Sequence, residues 1–190
     1  RQVNVLANDF NPFAPDPLRI VDAQIDQASV GSNASVSFTG QHVSVTTGAA
    51  FTGTLSVVYR IQDATRDPAR ETQGRLTVVV RDAPDAPNTP TTSPGDGSAT
   101  VRWNAPATNN SPITGYTVYW SGGGSRSFGA GAAGTNQTIT GLSNGSSYQF
   151  WVTATNAIGT STASARSTAI VPYGVPTAPR SVTLNASQTG

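Results

Sequence analysis

The chain of 190 residues contains no cysteine and no lysine. The first absence removes disulfides, thiolate zinc sites and cysteine nucleophiles together. The second excludes an intramolecular lysine–asparagine isopeptide crosslink. One histidine, His42, is present, charged residues make up only 11% of the chain, and the formal net charge is +1. No run of basic residues occurs, so the electrostatic footprint of a nucleic-acid or anionic-membrane partner is missing. No apolar run reaches about 18 residues, so this segment offers no membrane insertion. It carries no signal peptide either, which places any export signal or anchor outside the segment, and the chain reads as an excerpt of a longer one.

What is present is Gly 19, Pro 13 and abundant Ser and Thr, interleaved with Val, Ile, Tyr and Trp. That is the composition of many short strands joined by turns. A length of 190 residues fits two sandwich-sized domains. The clearest stretch is 142–159. There Tyr148, Phe150, Val152 and Ala154 alternate with Gln149, Trp151, Thr153 and Thr155, the period of a strand with one face in a core. Turn residues 143–146 precede it and 156–159 follow. Tyr148 at its start suits a buried ring whose hydroxyl bonds back to nearby backbone.

Residues 1–82 read as a first domain. Strands are expected at 3–6, 18–24, 34–38, 42–46, 55–61 and 75–81, with a turn-rich loop at 8–17 and a short helical turn at 68–72 inside a charged loop. Val3, Val5, Leu6, Asn8 and Asp9, followed later by Phe51, Gly53, Tyr59 and Asp63, resemble the bacterial Ig-like repeats related to cadherin-like modules. The resemblance implies an antiparallel sandwich whose first strand is missing here. Residues 82–90 carry three prolines and read as an extended, stiff linker.

Residues 83–173 read as a second domain, with strands at 88–93, 98–103, 113–121, 125–128, 135–140, 148–155 and 164–171. Val101, Trp103 and Pro106, then Ile113, Gly115, Tyr116 and Val118, then Leu142, Gly145, Tyr148, Phe150, Val152, Ala154, Asn156 and Gly159 resemble a fibronectin type III domain. That resemblance implies a seven-stranded sandwich with a core around Trp103, Tyr116, Trp120, Leu142 and Tyr148. Residues 174–190 read as a linker and the start of a further domain of the same kind. The expected fold class is all-β, two tandem antiparallel sandwiches.

No catalytic residue is expected. His42 lies in an alternating run on the face opposite Val43 and Val45, and the acids fall in turns and linkers without an implied cleft. No cofactor is expected, with calcium as the one metal to consider. Asp9, with Asn8 and Asp63, offers hard oxygens; Asn8, Asp9, Asn11 and Asp16 lie in one loop, which Asp63 or Asp82 would approach from strand ends. The same residue types also cap turns with no metal. Tyr119 and Trp151 alternate with core residues on strands that neighbour each other in the resembled fold. This places two rings side by side on an outer sheet face, for a sugar, for a protein, or simply for cross-strand packing. The reading is a non-catalytic spacer or adhesive stalk of an exported multidomain bacterial protein, extracellular or at the cell surface. Its partners are neighbouring domains and a polysaccharide or surface protein. The alternative is a carbohydrate- or protein-binding accessory module of a polysaccharide-degrading enzyme or adhesin.

Overall fold

The computed structural model describes residues 2–7, 9, 17–26, 33–49, 51–131, 134–176 and 178. The expected Asn8, Asn11 and Asp16, and most of the expected further domain, lie outside the described residues. The fold is all-β. By compactness the described chain divides into one body from residues 1–85, 107–113 and 155–161, and a second from 86–106, 114–154 and 162–190. Among the described residues no helix is long and apolar enough to cross a membrane.

The first body holds β1 (Gln2–Asn4), β2 (Arg19–Ile25), β3 (Ser35–Phe38), β4 (His42–Thr46), β5 (Gly53–Gln62) and β6 (Thr72–Val80). They form two antiparallel sheets, ordered β1-β4-β3 and β2-β5-β6. Val43 and Val45 in β4, and Leu55 and Val57 in β5, turn inward at period two and meet Val5, Leu6 and Ile20. The strand expected over residues 3–6 stops at Asn4. The Asn4 side chain accepts the Leu6 amide at 3.1 Å and bends residues 5–7 into a turn, which still buries Val5 and Leu6. The expected helical turn is a single 3-10 turn, Pro68–Arg70, whose Asp67 side chain accepts the Ala69 amide.

The second body contains β7 (Thr91–Gly95), β8 (Ser98–Arg102), β10 (Gly124–Gly129), β11 (Asn136–Thr140) and most of β9 (Ile113–Trp120) and β12 (Phe150–Asn156). Its antiparallel sheets are ordered β11-β8-β7 and β10-β9-β12. Ala99, Val101, Trp103, Tyr116, Val118, Ile139, Leu142, Phe150, Val152 and Ala154 are buried. Trp103 meets Tyr116 edge to face at 5.3 Å. Trp120 and Tyr148, expected in the core, are only half-buried. Trp120 lies over Gly124, its cross-strand partner, and leans on Phe150 at 6.4 Å. The Tyr148 hydroxyl accepts the Ser143 amide at 3.1 Å, the backward bond expected of it.

Residues 164–171 do not form the regular strand that the sequence leads one to expect. The amides of Ser164, Ser167 and Ile170 bond to the carbonyls of Val152, Phe150 and Tyr148 at 2.8–2.9 Å. Three residues therefore advance along this edge for every two on β12. A carbonyl cannot meet each β12 amide at that spacing, and side chains take the missing positions. Ser167 Oγ accepts the Phe150 amide and Ser164 Oγ the Val152 amide, each at 3.0 Å. Both hydroxyls in turn donate a hydrogen bond to the carbonyl of the next residue.

Candidate functional site

Alternation along β9 and β12 sends Tyr116, Val118, Phe150 and Val152 inward and leaves Tyr119 and Trp151 half-buried on the opposite face. The two rings are stacked, with centroids 6.0 Å apart and planes within 7°. Arg166, on the serine-stitched segment along the other side of β12, carries its guanidinium carbon 4.3 Å from the centre of the Trp151 ring. A guanidinium over indole is attracted by the negative ring face, an interaction worth about 0.5–2 kcal/mol. The three side chains form a ladder, and the indole is its middle rung. The next position beyond Tyr119, across β9–β10, is the exposed Ser125. A small residue there leaves the outer face of the phenol uncovered by a bulky neighbour.

The ladder brings together both sequence-predicted aromatics and adds Arg166, which sequence reasoning misses. Residues 161–171 show no apolar alternation that would align Arg166 with Trp151. Its only mark is a lone charge among small polar residues.

Of the acids named for a metal, Asp63 is engaged within the protein. Asp63 has a side chain 9% exposed. One of its oxygens accepts the Thr65 amide and hydroxyl, the other Arg70 Nε at 2.8 Å. The Thr65 hydroxyl, then its amide and the Arg70 guanidinium, hold the Asp63 carboxyl below the usual carboxylate range against the opposing effect of burial. Asp9 is exposed and lies near enough to Tyr59 for its charge to reinforce burial in pushing the phenol pKa up. Among the described residues no group of three or more His, Asp or Glu side chains is arranged to hold a metal ion. His42 is half-buried in β4, beside the buried Val43.

The turns are pinned by side-chain amides. Asn156, 5% exposed, donates Nδ2 to the carbonyls of Asp82, Thr108 and Ser111, while its Oδ1 accepts the amides of Ile158 and Gly159. Asn109 donates to the Ala83 carbonyl at 2.7 Å and to Asp85 at 3.0 Å. Residues 82–85, read from sequence as part of an extended linker, are thus fastened by side chains rather than by proline stiffness alone. Asn144 accepts the Gly97 amide and donates to Asp96, both at 2.8 Å.

Residues 82–170 match the fibronectin type III domain family. Chitinase A1 of Niallia circulans is 35% identical over 126 residues, covering 62% of this chain and 17% of its own. The cell adhesion molecule Dscam2 of Drosophila melanogaster is 33% identical over 87 residues, covering 45% of this chain and 4% of its own. The chain spans less than a fifth of the length of either relative. A crystal structure of titin domains is 24% identical and covers 84% of this chain and 56% of that one, at a TM-score of 0.48.

Proposed function

We propose, from the premise that residues 82–170 form a fibronectin type III domain, that this chain is a non-catalytic structural segment of an exported multidomain protein. It serves as a rigid spacer or adhesive stalk at the cell surface or outside the cell. The first 82 residues are read as an Ig-like repeat of the cadherin-like type. The observation that carries this reading is how the turns are held. Asn109, Asn144 and Asn156 each spend both ends of the side chain, or the donor end twice, on the protein itself. Loops closed in this way suit load-bearing and positioning rather than substrate capture. The reading agrees with relatives whose names are a chitinase and a cell adhesion molecule.

Single-molecule pulling on the full 190-residue chain tests it. Two discrete, cooperative unfolding events are expected, together with no turnover of chitin or other polysaccharides. Gradual extension without force peaks, or measurable hydrolysis, would sink the reading.

The stacked Tyr119 and Trp151 favour a second reading, a binding module for polysaccharide. A pulldown on insoluble polysaccharides, beside a Tyr119→Ala/Trp151→Ala variant, tests that reading. Retention of the parent protein and loss in the variant support it; equal retention of both removes it. Calcium remains the metal to try, through Asp9. Its addition is expected to leave the first body's unfolding temperature unchanged, because Asp63, the acid that would have to join Asp9, is already paired with Arg70.

A further inference from the structure

The ten acidic residues are distributed unevenly along the chain: the last is Asp96, and no Asp or Glu occurs in residues 97–190. Arg102, Arg126, Arg166 and Arg180 all fall in that acid-free stretch. Among the described residues, ion pairs instead join Arg60, Arg70 and Arg75 to Asp22, Asp26, Asp63 and Glu71. Among the described residues Arg166 has no carboxylate partner, and its neighbour is the Trp151 ring at 4.3 Å. Arg126 lies over Phe128 at 5.4 Å, and Arg102 donates to the neutral Asn136 side chain.

From this we infer that the Tyr119–Trp151–Arg166 ladder is a recognition site for an acidic polysaccharide, one whose sugar units carry carboxylates. The inference rests on the polysaccharide-binding reading above and names the ligand class for that same face. With its carbon 4.3 Å from the indole centre, the guanidinium rests against the ring face, and its N–H donors remain available for the two parallel bonds that a carboxylate accepts. An exposed arginine without such support spends side-chain entropy to reach that pose; the contact with the indole lowers that cost. The other end of the ladder supplies the apolar contact. Tyr119 has the small Ser125 as its cross-strand neighbour, which leaves room for the hydrogens of a pyranose ring to pack on the phenol. The ladder crosses three neighbouring chain segments, about 10 Å from Arg166 to Tyr119 at ordinary strand spacing. That span favours an extended chain of sugars over a single small anion. β9, β12 and residues 160–171 contain no acidic residue, so no charge on those elements opposes the ligand.

Polygalacturonate, its methyl ester and poly-glutamate are the probes: esterification removes the charge and keeps the sugar backbone, and poly-glutamate keeps the charge without the sugar. Binding to the full chain is read by calorimetry at low and moderate salt, for the parent protein, Arg166→Gln, Arg126→Gln and Tyr119→Ala/Trp151→Ala. Each variant is first checked for an unchanged unfolding temperature. The inference expects binding to the free acid, weakening with salt, and a loss of roughly tenfold or more both on esterification and in Arg166→Gln. Arg126→Gln should bind as the parent does. Equal affinity for acid and ester, with Arg166→Gln unaffected, overturns the acidic preference and leaves the polysaccharide reading standing. Equal losses in Arg126→Gln and Arg166→Gln overturn it in favour of diffuse charge. Binding of poly-glutamate but neither glycan overturns it in favour of an acidic protein partner. No binding of any probe overturns the inference, and the pulldown on insoluble polysaccharides then decides the reading beneath it.

Discussion

At Asn156 one amide nitrogen with two hydrogens serves three carbonyl oxygens, those of Asp82, Thr108 and Ser111 at 2.8, 3.3 and 3.2 Å. Truncation to alanine strands buried carbonyls, at about 1–3 kcal/mol for an unsatisfied buried group. Asn156→Ala should therefore lower the denaturation midpoint of the body that contains it by an amount equivalent to about 2 kcal/mol, measured by urea titration. Asp63 gives a prediction in pH. Its folded-state pKa is depressed, so its contribution is complete above the unfolded value of about 4 and is lost as pH falls through the folded value. Unfolding followed from pH 6 to pH 2 should show Asp63→Asn with a shallower acid loss than the parent. An unchanged slope would mean that Thr65 and Arg70 hold the loop without the charge. At this scale the sequence is readable where chemistry follows alternation, as for Tyr119 and Trp151. It is silent where a side chain's partner is distant in sequence. Asn156 is visible as a turn residue, but its bond to Asp82, 74 positions earlier, is not.

Strands were legible wherever inward residues recur at period two, as in Leu55 and Val57 or Val101 and Ala99. Residues 164–171 escape because three residues there match two on β12, a period that no alternation announces. The serines that make this pairing work look in sequence like surface filler. Ser164→Ala/Ser167→Ala should leave the Phe150 and Val152 amides without acceptors and lower stability by about 2–5 kcal/mol in all, read by thermal or urea unfolding. Single serine-to-alanine changes at the exposed Ser125 and Ser127 of β10 should cost little. Glycine placement is a second element-scale device. A methyl on Gly124 would sit 2.0 Å from the Trp120 ring, and one on Gly74 would sit 2.3 Å from the Tyr59 ring. Each glycine lets an aromatic from the neighbouring strand lie flat across it. Gly124→Ala should displace Trp120 and destabilise by about 1–3 kcal/mol, with a changed tryptophan fluorescence maximum. Glycine in a strand usually reads as weakness from sequence alone, and here it marks the seat of a ring.

Over the whole molecule, charge and chemistry are divided between two stretches. Every ion pair named above lies within residues 22–75, while residues 97–190 contain no carboxylate side chain. Calorimetric scans at pH 7 and pH 3 should separate the two bodies: the transition of the first should fall in acid, and that of the second should move little. Coincident shifts would show that the ion pairs contribute nothing specific. Fold class followed from composition and period, since a chain rich in Gly, Pro and alternating β-formers has few other ways to bury apolar area. The ladder was only half legible, because its cation comes from a segment without a regular strand signature.

The three-against-two edge along β12 also bears on how such modules tolerate one another. A regular outer strand exposes donors and acceptors at a fixed repeat, a template on which a second chain can add and misassemble. Here the spacing of residues 164–170 is out of step with any ordinary strand, and the seryl hydroxyls are already committed to neighbouring carbonyls. An incoming strand would find no continuous row to zip onto. Domains joined end to end meet at high local concentration while they fold, when swapping and cross-pairing are the characteristic failures. An edge of mismatched period is a built-in safeguard against those errors, written in two serines rather than in charge or proline.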